Sequence, residues 1–221
     1  MNTRDKILDK ALEMFNERGI EYVGLRELAG VLDMRVSNIT YYFPTKDDLV
    51  YQLSLELSKK NAAVIVATET ITMAQFLQML HQVFQNQLQF RCLLLSFVHL
   101  MAQNKRMAAA YSKTQSHRNA TLKSNIAVLA ASGYLHLKDE AEVEFMVSTL
   151  ALISRFWISE AAVSFRQHSH EEQMHHYLSL ITKLLLPYST PKAKKEMQAF
   201  LSGLKDAMDL NIADHRKGMA S

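Results

Sequence analysis

The chain has 221 residues, a formal net charge of +3, 12 Met, 6 Gly, 3 Pro and a single cysteine, Cys92. So little turn chemistry excludes a sheet protein of many hairpins, and one cysteine excludes an internal disulfide framework; the expectation is an all-α fold in a reducing, cytoplasmic setting. The most apolar stretch, 147–165, is interrupted by Arg155 and Glu160, and the charged start lacks the apolar core of a signal peptide, so no membrane partner is expected.

Asn2 or Thr3 supplies an N-cap for a first helix, in which Ile7, Leu8, Ala11, Leu12 and Phe15 recur at helical spacing until Gly19 ends the run. Ile20, Tyr22 and Val23 read as an extended link to a second helix of about two turns, with Leu25, Leu28, Ala29, Val31 and Leu32 as its apolar positions. Asp33 and Met34 leave room only for a tight turn, and Asp33 tolerates left-handed backbone. A third short helix follows over 36–43, where Ile39 and Phe43 share a face. Pro44 stops it, and Thr45 with Asp48 three residues on starts a long fourth helix through Leu49, Leu53 and Leu57.

Three short helices with a tight turn between the second and third make a helix-turn-helix domain over 1–50, its motif at about 24–43. The remainder, 51–221, continues as amphipathic helices expected near 72–90, 92–103, 105–132, 138–167, 170–186 and 192–210. Gly133, Pro187 and Pro191 punctuate three of the joints.

The segments 11–15, Gly19, 25–29 and 36–49 resemble the N-terminal domain of the TetR family of bacterial regulators, and Leu184 to Tyr188 is similar to the way some members close their penultimate helix. The resemblance implies a DNA-binding transcriptional regulator: double-stranded DNA and a second copy of the chain as partners, an unknown small-molecule effector, and no cofactor or metal. In a helix-turn-helix the N-terminal part of the second motif helix enters the major groove, which places Arg35, Val36, Ser37 and Asn38 nearest base edges. By the resemblance, Thr40 and Tyr41 lie on a backbone-facing edge, Tyr42 occupies a position where the family often has histidine, Lys46 reaches a phosphate, and Arg26 reaches a base or phosphate. Consecutive helical residues cannot all face one core, so Phe43 is assigned to packing and Tyr41 and Tyr42 to DNA.

Gly24 stands where the family usually has threonine, Asp33 and Met34 replace a common Gly-Val, and Thr40 replaces a frequent tyrosine. Residues 1–50 also hold 7 Lys/Arg against 9 Asp/Glu, a net of −2. Together these motivate the competing reading of a helical interaction protein that has lost DNA binding. No nucleophile–base pair, phosphate loop or metal motif stands at usable spacing, which argues against an enzyme.

In the second domain, Phe76, Phe84, Phe97, His99, Met101 and Arg155 are the candidate effector-pocket residues, against the plainer reading of the Met and Phe positions as core. Arg155 needs a partner, whether an acid across a dimer interface, an anionic effector or solvent. By the resemblance, helices 138–167 and 170–186 form the dimer interface. His168, His170, His175 and His176 read as a solvated joint, because adjacent histidines on a helix point about 100° apart and do not readily share an ion. Cys92 and His99, two turns apart on one expected helix, are too far apart for a catalytic pair and read as core or pocket lining. The run Lys192, Lys194, Lys195 is either an accessory DNA contact or a solvated helix face.

Overall fold

The computed structural model describes residues 2–218, with side chains as far as Asp209; the last residues of the expected domain 51–221 lie outside the described residues. The all-α expectation holds: every named element is a helix, and the only sheet-like feature among the described residues is an isolated bridge between Leu135 and Ser189. Two compact units result. The first takes the chain up to Ala63 together with Asn86–Ser116, and the second Val64–Gln85 with the chain from His117 onward.

In the first unit, α1 (Thr3–Arg18) begins at Asn2, whose side chain accepts from the Asp5 backbone N–H at 2.9 Å. It buries Ile7, Leu8, Ala11, Met14 and Phe15, and stops at Gly19, whose φ of +93° favours a residue without a β-carbon. The segment after Gly19 is a turn rather than the expected extended link, because the Tyr22 N–H folds back onto the Gly19 carbonyl at 3.4 Å. α2 (Leu25–Val31) then buries Leu28 and Ala29. It ends in a Schellman motif: the Asp33 N–H bonds the Gly30 carbonyl, the Met34 N–H bonds the Ala29 carbonyl, and Asp33 takes φ +51° as anticipated.

α3 (Val36–Tyr42) packs through Ile39, and the Phe43 N–H closes its last turn on the Ile39 carbonyl. α4 (Lys46–Val64) is opened by Thr45 and Asp48: the Thr45 hydroxyl accepts from the Asp48 N–H at 3.1 Å and donates to the Asp48 carboxylate at 2.8 Å. Ile7, Ala11, Phe15, Leu28, Ile39, Phe43, Leu49 and Leu53 form the buried centre that these four helices share.

The expected single helix over 92–103 is two, α6 (Arg91–Leu95) and α7 (Phe97–Gln103), parted at Ser96. Two long-range contacts organise this region. Asn16 of α1 donates to the Gln89 carbonyl at 2.7 Å and accepts from the Cys92 N–H at 3.0 Å, and Ser96 bonds Glu21.

The second unit is built from α5 (Met73–Gln89) up to Gln85, α8 (Lys105–Ala131) from His117, α9 (Glu140–Ser164), α10 (His170–Leu185), a 3-10 turn (Leu186–Tyr188) and α11 (Pro191–Gly218). Asp139 caps α9 through the Glu142 N–H, so that helix starts later than expected, and Ser169 with Glu172 forms a full capping box on α10. The ring of Phe84 lies flat on Trp157, centroids 4.8 Å apart, and Phe76, Leu77, Leu150, Leu178 and Ile181 of the same unit are also buried.

Candidate nucleic-acid interface

The short helix α3 has two faces. Ile39 and, just beyond the helix, Phe43 turn inward and are buried, while Arg35, Ser37, Asn38 and Tyr41 are exposed, Tyr41 to 81 %. Val36 and Thr40 are half-buried at the margin, where the Thr40 hydroxyl donates to the Ser37 carbonyl at 3.4 Å. Tyr42 is 40 % exposed and its ring meets that of Tyr41 edge to face at 5.0 Å. Arg26 is exposed on α2.

Lys46, the first residue of α4, donates to the Glu21 backbone carbonyl at 3.3 Å. Burial pushes its ammonium below the usual lysine range, with Glu21 and Asp47 pulling the other way.

Part of the charge of this segment is spent in ion pairs. Arg4 pairs with Asp5, Lys10 with Glu13 and Arg18 with Glu27, while Asp48 is occupied by Thr45 and by Arg106, whose Nη1 lies 3.3 Å from it. Among the described residues, four of the seven Lys/Arg of this segment, Lys6, Arg26, Arg35 and Lys46, belong to no ion pair. Three of these, Arg26, Arg35 and Lys46, lie on or next to the motif helices, while Lys6 is exposed on α1. An exposed face carrying guanidinium, amide, hydroxyl and phenol groups, with a lysine at the start of the next helix, offers donors suited to base edges and phosphates.

Sequence reasoning missed Glu21, Ser96 and Arg106. Arg106 also lies over the Tyr51 ring, 4.1 Å from its centroid, so it touches α4 twice. These contacts join residues dozens of positions apart, and no local pattern announces them.

A family model described as bacterial regulatory proteins of the tetR family matches residues 7–53, and one described as a bacterial transcriptional repressor matches residues 58–197. The chain belongs to the TetR family. A Bacillus subtilis (strain 168) protein named as a probable HTH-type transcriptional regulator, YttP, is 31% identical over 93 residues, covering 39% of this chain and 44% of that protein. The chain thus spans less than half the length of this curated relative.

Among solved structures, a TetR-family transcriptional regulator from Marinobacter aquaeolei VT8 superposes with a TM-score of 0.84 at 23% identity, covering 92% of this chain and 99% of that one. Salmonella enterica GusR gives a TM-score of 0.60 at 18% identity, covering 83% and 95% respectively. At such identities the likeness fixes the fold.

In this TetR-family chain the candidate effector residues divide. Phe76, Phe84 and Arg155 lie in the second unit, Phe97, His99 and Met101 in the first. Phe76 and Phe84 are fully buried, Phe97, Met101 and Arg155 are half-buried, and His99 is exposed. Arg155 lies over the neighbouring Phe156 ring at 5.9 Å. The break at Ser96 puts Cys92 and His99 on different helices rather than on one; Cys92 is buried and His99 is exposed.

The histidine-rich joint is solvated as expected at His168 and His170, which are exposed, while His175 and His176 are half-buried on α10. His168 and His176 flank the Phe165 ring at 5.6 Å and 4.5 Å, and no metal-holding group of three or more acidic, His or Cys residues occurs among the described residues. Lys192, Lys194 and Lys195 are exposed on α11, and Lys192 lies over the Tyr134 ring at 3.9 Å.

Proposed function

We propose that the protein is a cytoplasmic repressor that binds near-palindromic operator DNA as a homodimer and releases it when a small molecule occupies the second unit. The observation that carries the DNA-binding reading is the division of α3 into a buried apolar back, Ile39 and Phe43, and an exposed polar front, Arg35, Ser37, Asn38 and Tyr41. In this reading Arg35, Val36, Ser37 and Asn38 face base edges, Arg26 meets a base or phosphate, and Thr40, Tyr41, Tyr42 and Lys46 follow the backbone.

Homodimerisation is supported by the outer face of α9, where Phe145, Leu152 and Val163 are more than half or at least half exposed, and by Leu180 of α10. α9 is also long and apolar enough to cross a membrane by length and composition, yet its charged residues and its packing on α10 suit a helix covered by a second copy. Two recognition helices must then meet successive major grooves about 34 Å apart, so a small change in their separation defeats simultaneous engagement.

For the effector, Phe76, Phe84 and Arg155, which share the second unit, are the proposed pocket residues. Among the described residues, the buried Tyr177 hydroxyl and the His81 Nδ1 in the same unit have no hydrogen-bond partner, and such groups suit a ligand's polar atoms.

Selection of bound sequences from random duplex DNA, followed by binding over a salt series and by sedimentation, tests the proposal. A recovered near-palindrome, a clear salt slope and a dimeric mass are expected. No enriched sequence at low salt would overturn it in favour of a helical interaction protein.

A further inference from the structure

Lys46 does not project freely from the start of α4. Its ammonium is bonded to the carbonyl of Glu21, in the turn between α1 and α2. The other end of the same residue is also held: the Glu21 carboxylate accepts from the Ser96 hydroxyl at 2.9 Å. Ser96 is the residue at which α6 and α7 part, with φ −94° and ψ 12°, and all three residues belong to the first unit.

A hydrogen bond to a carboxylate is among the stronger kinds, and here it holds the exposed side chain of Glu21 in a turn whose Ile20 and Val23 are buried. The turn itself contributes a backbone hydrogen bond, the 3.4 Å bond from the Tyr22 N–H to the Gly19 carbonyl. We propose that Ser96 is a positioning residue for the DNA contact of Lys46: through Glu21 it fixes the carbonyl that holds the ammonium at the start of α4. The inference rests on the DNA-binding reading of Lys46.

A flexible lysine that is already placed loses less freedom when a phosphate arrives, so the contact gains from the tether before DNA is bound. The charged groups acting on Lys46 are Glu21 and Asp47, and only Glu21 is held by Ser96. A rearrangement at the α6–α7 break therefore reaches the phosphate contact through two hydrogen bonds.

The test uses the full chain with Ser96→Ala, Ser96→Thr, Lys46→Ala and the Ser96→Ala/Lys46→Ala double variant, each first shown to melt as the wild type does. The DNA probe is a mixed-sequence duplex of about 30 base pairs at low salt. Ser96→Ala is expected to weaken binding roughly threefold to tenfold when Lys46 is present and not at all in the Lys46→Ala background, while Ser96→Thr keeps the hydroxyl and the affinity.

A second readout needs no DNA. With lysines labelled at the ε-carbon, the Lys46 resonance is expected to titrate at higher pH in Ser96→Ala, because the ammonium gains solvent and the released carboxylate is free to approach it. An equal loss of affinity in both backgrounds, or an unchanged Lys46 titration, overturns the inference. If the wild type binds the duplex and Ser96→Ala binds it equally well, only this inference falls; if the wild type binds no duplex, the DNA-binding reading falls with it.

Discussion

The rings of Tyr41 and Tyr42 meet edge to face, their planes at 87°, on the outer side of α3. With Tyr41 81 % exposed, its ring buries little area, and Tyr41→Ala is expected to change unfolding free energy by less than about 0.5 kcal/mol. The same substitution removes a phenol from the proposed DNA-facing edge and should weaken binding to all duplexes by about tenfold, the size of one lost backbone contact. Urea unfolding and a DNA titration on the same sample check the pair of outcomes. A large loss of stability would return Tyr41 to the core.

Asn38 and Lys46 should behave differently from each other. An exposed amide near the start of α3 can pair with a base edge, so Asn38→Ala is expected to alter preference at particular positions of the selected site, at a cost of about 1–3 kcal/mol against the preferred base, and to leave the salt slope alone. Lys46→Ala is expected to weaken binding to all sequences alike and to lower the salt slope by about one. Selection repeated with each variant reads both effects. If Asn38→Ala left affinity and preference unchanged, the placement of α3 in the groove would be wrong.

Gly24 begins α2 with extended backbone and no side-chain cap, and a β-carbon built there meets nothing within 4 Å. Gly24→Ser therefore adds a capping hydroxyl at no steric cost and reduces the freedom of the unfolded chain. Stability should rise by about 0.5 kcal/mol, seen as a higher urea midpoint with an unchanged slope. The hydroxyl also restores a donor at the α2 N-terminus, so DNA affinity should rise as well. A fall in stability would show that the extended backbone at this position is not what it is in this structure.

The features legible in the sequence were those written within a few residues of one another. Asn2, Gly19, Asp33, Pro44 and the Thr45–Asp48 pair each act on backbone groups close by, so the four N-terminal helices could be placed almost to the residue. The break at Ser96 was missed because serine carries no strong helix-breaking signature, and Glu21, its partner, lies 75 positions away. For the same reason the polar front of α3 was readable while the hydrogen bonds that hold Lys46 were not. Side-chain type alone marks Phe76, Phe84, Phe97, His99, Met101 and Arg155 as pocket candidates, and it says nothing about which compact unit a residue joins.

Tyr177 is buried against Trp157 and Phe165, and its hydroxyl has no partner among the described residues. An unpaired buried hydroxyl costs free energy, so Tyr177→Phe is expected to raise stability by about 1 kcal/mol in the ligand-free protein. Where an effector supplies the missing partner, the same variant should respond to it more weakly in a DNA-release assay. A loss of stability on substitution would mean that the hydroxyl is already bonded in the free protein.

Cys92 tests the packing of the α1–α6 contact without touching the DNA-facing side. Burial pushes its thiol from 9.0 up to about 12, partly offset by the backbone N–H of Leu93 and by Arg91. Because the folded chain holds the proton more tightly than the unfolded chain, the stabilisation is complete below pH 9.0 and is lost as pH climbs towards about 12. Over that window the group contributes a fall of about 1.4 kcal/mol per pH unit. The fall should be absent from Cys92→Ala, whose stability starts lower but declines less steeply. At pH 8 the native thiol should react with a chromogenic disulfide only as fast as the first unit opens, and at the full rate in urea. Rapid labelling of the native protein would show that the Asn16 contact at the start of α6, which seats Cys92 against α1, is broken in solution.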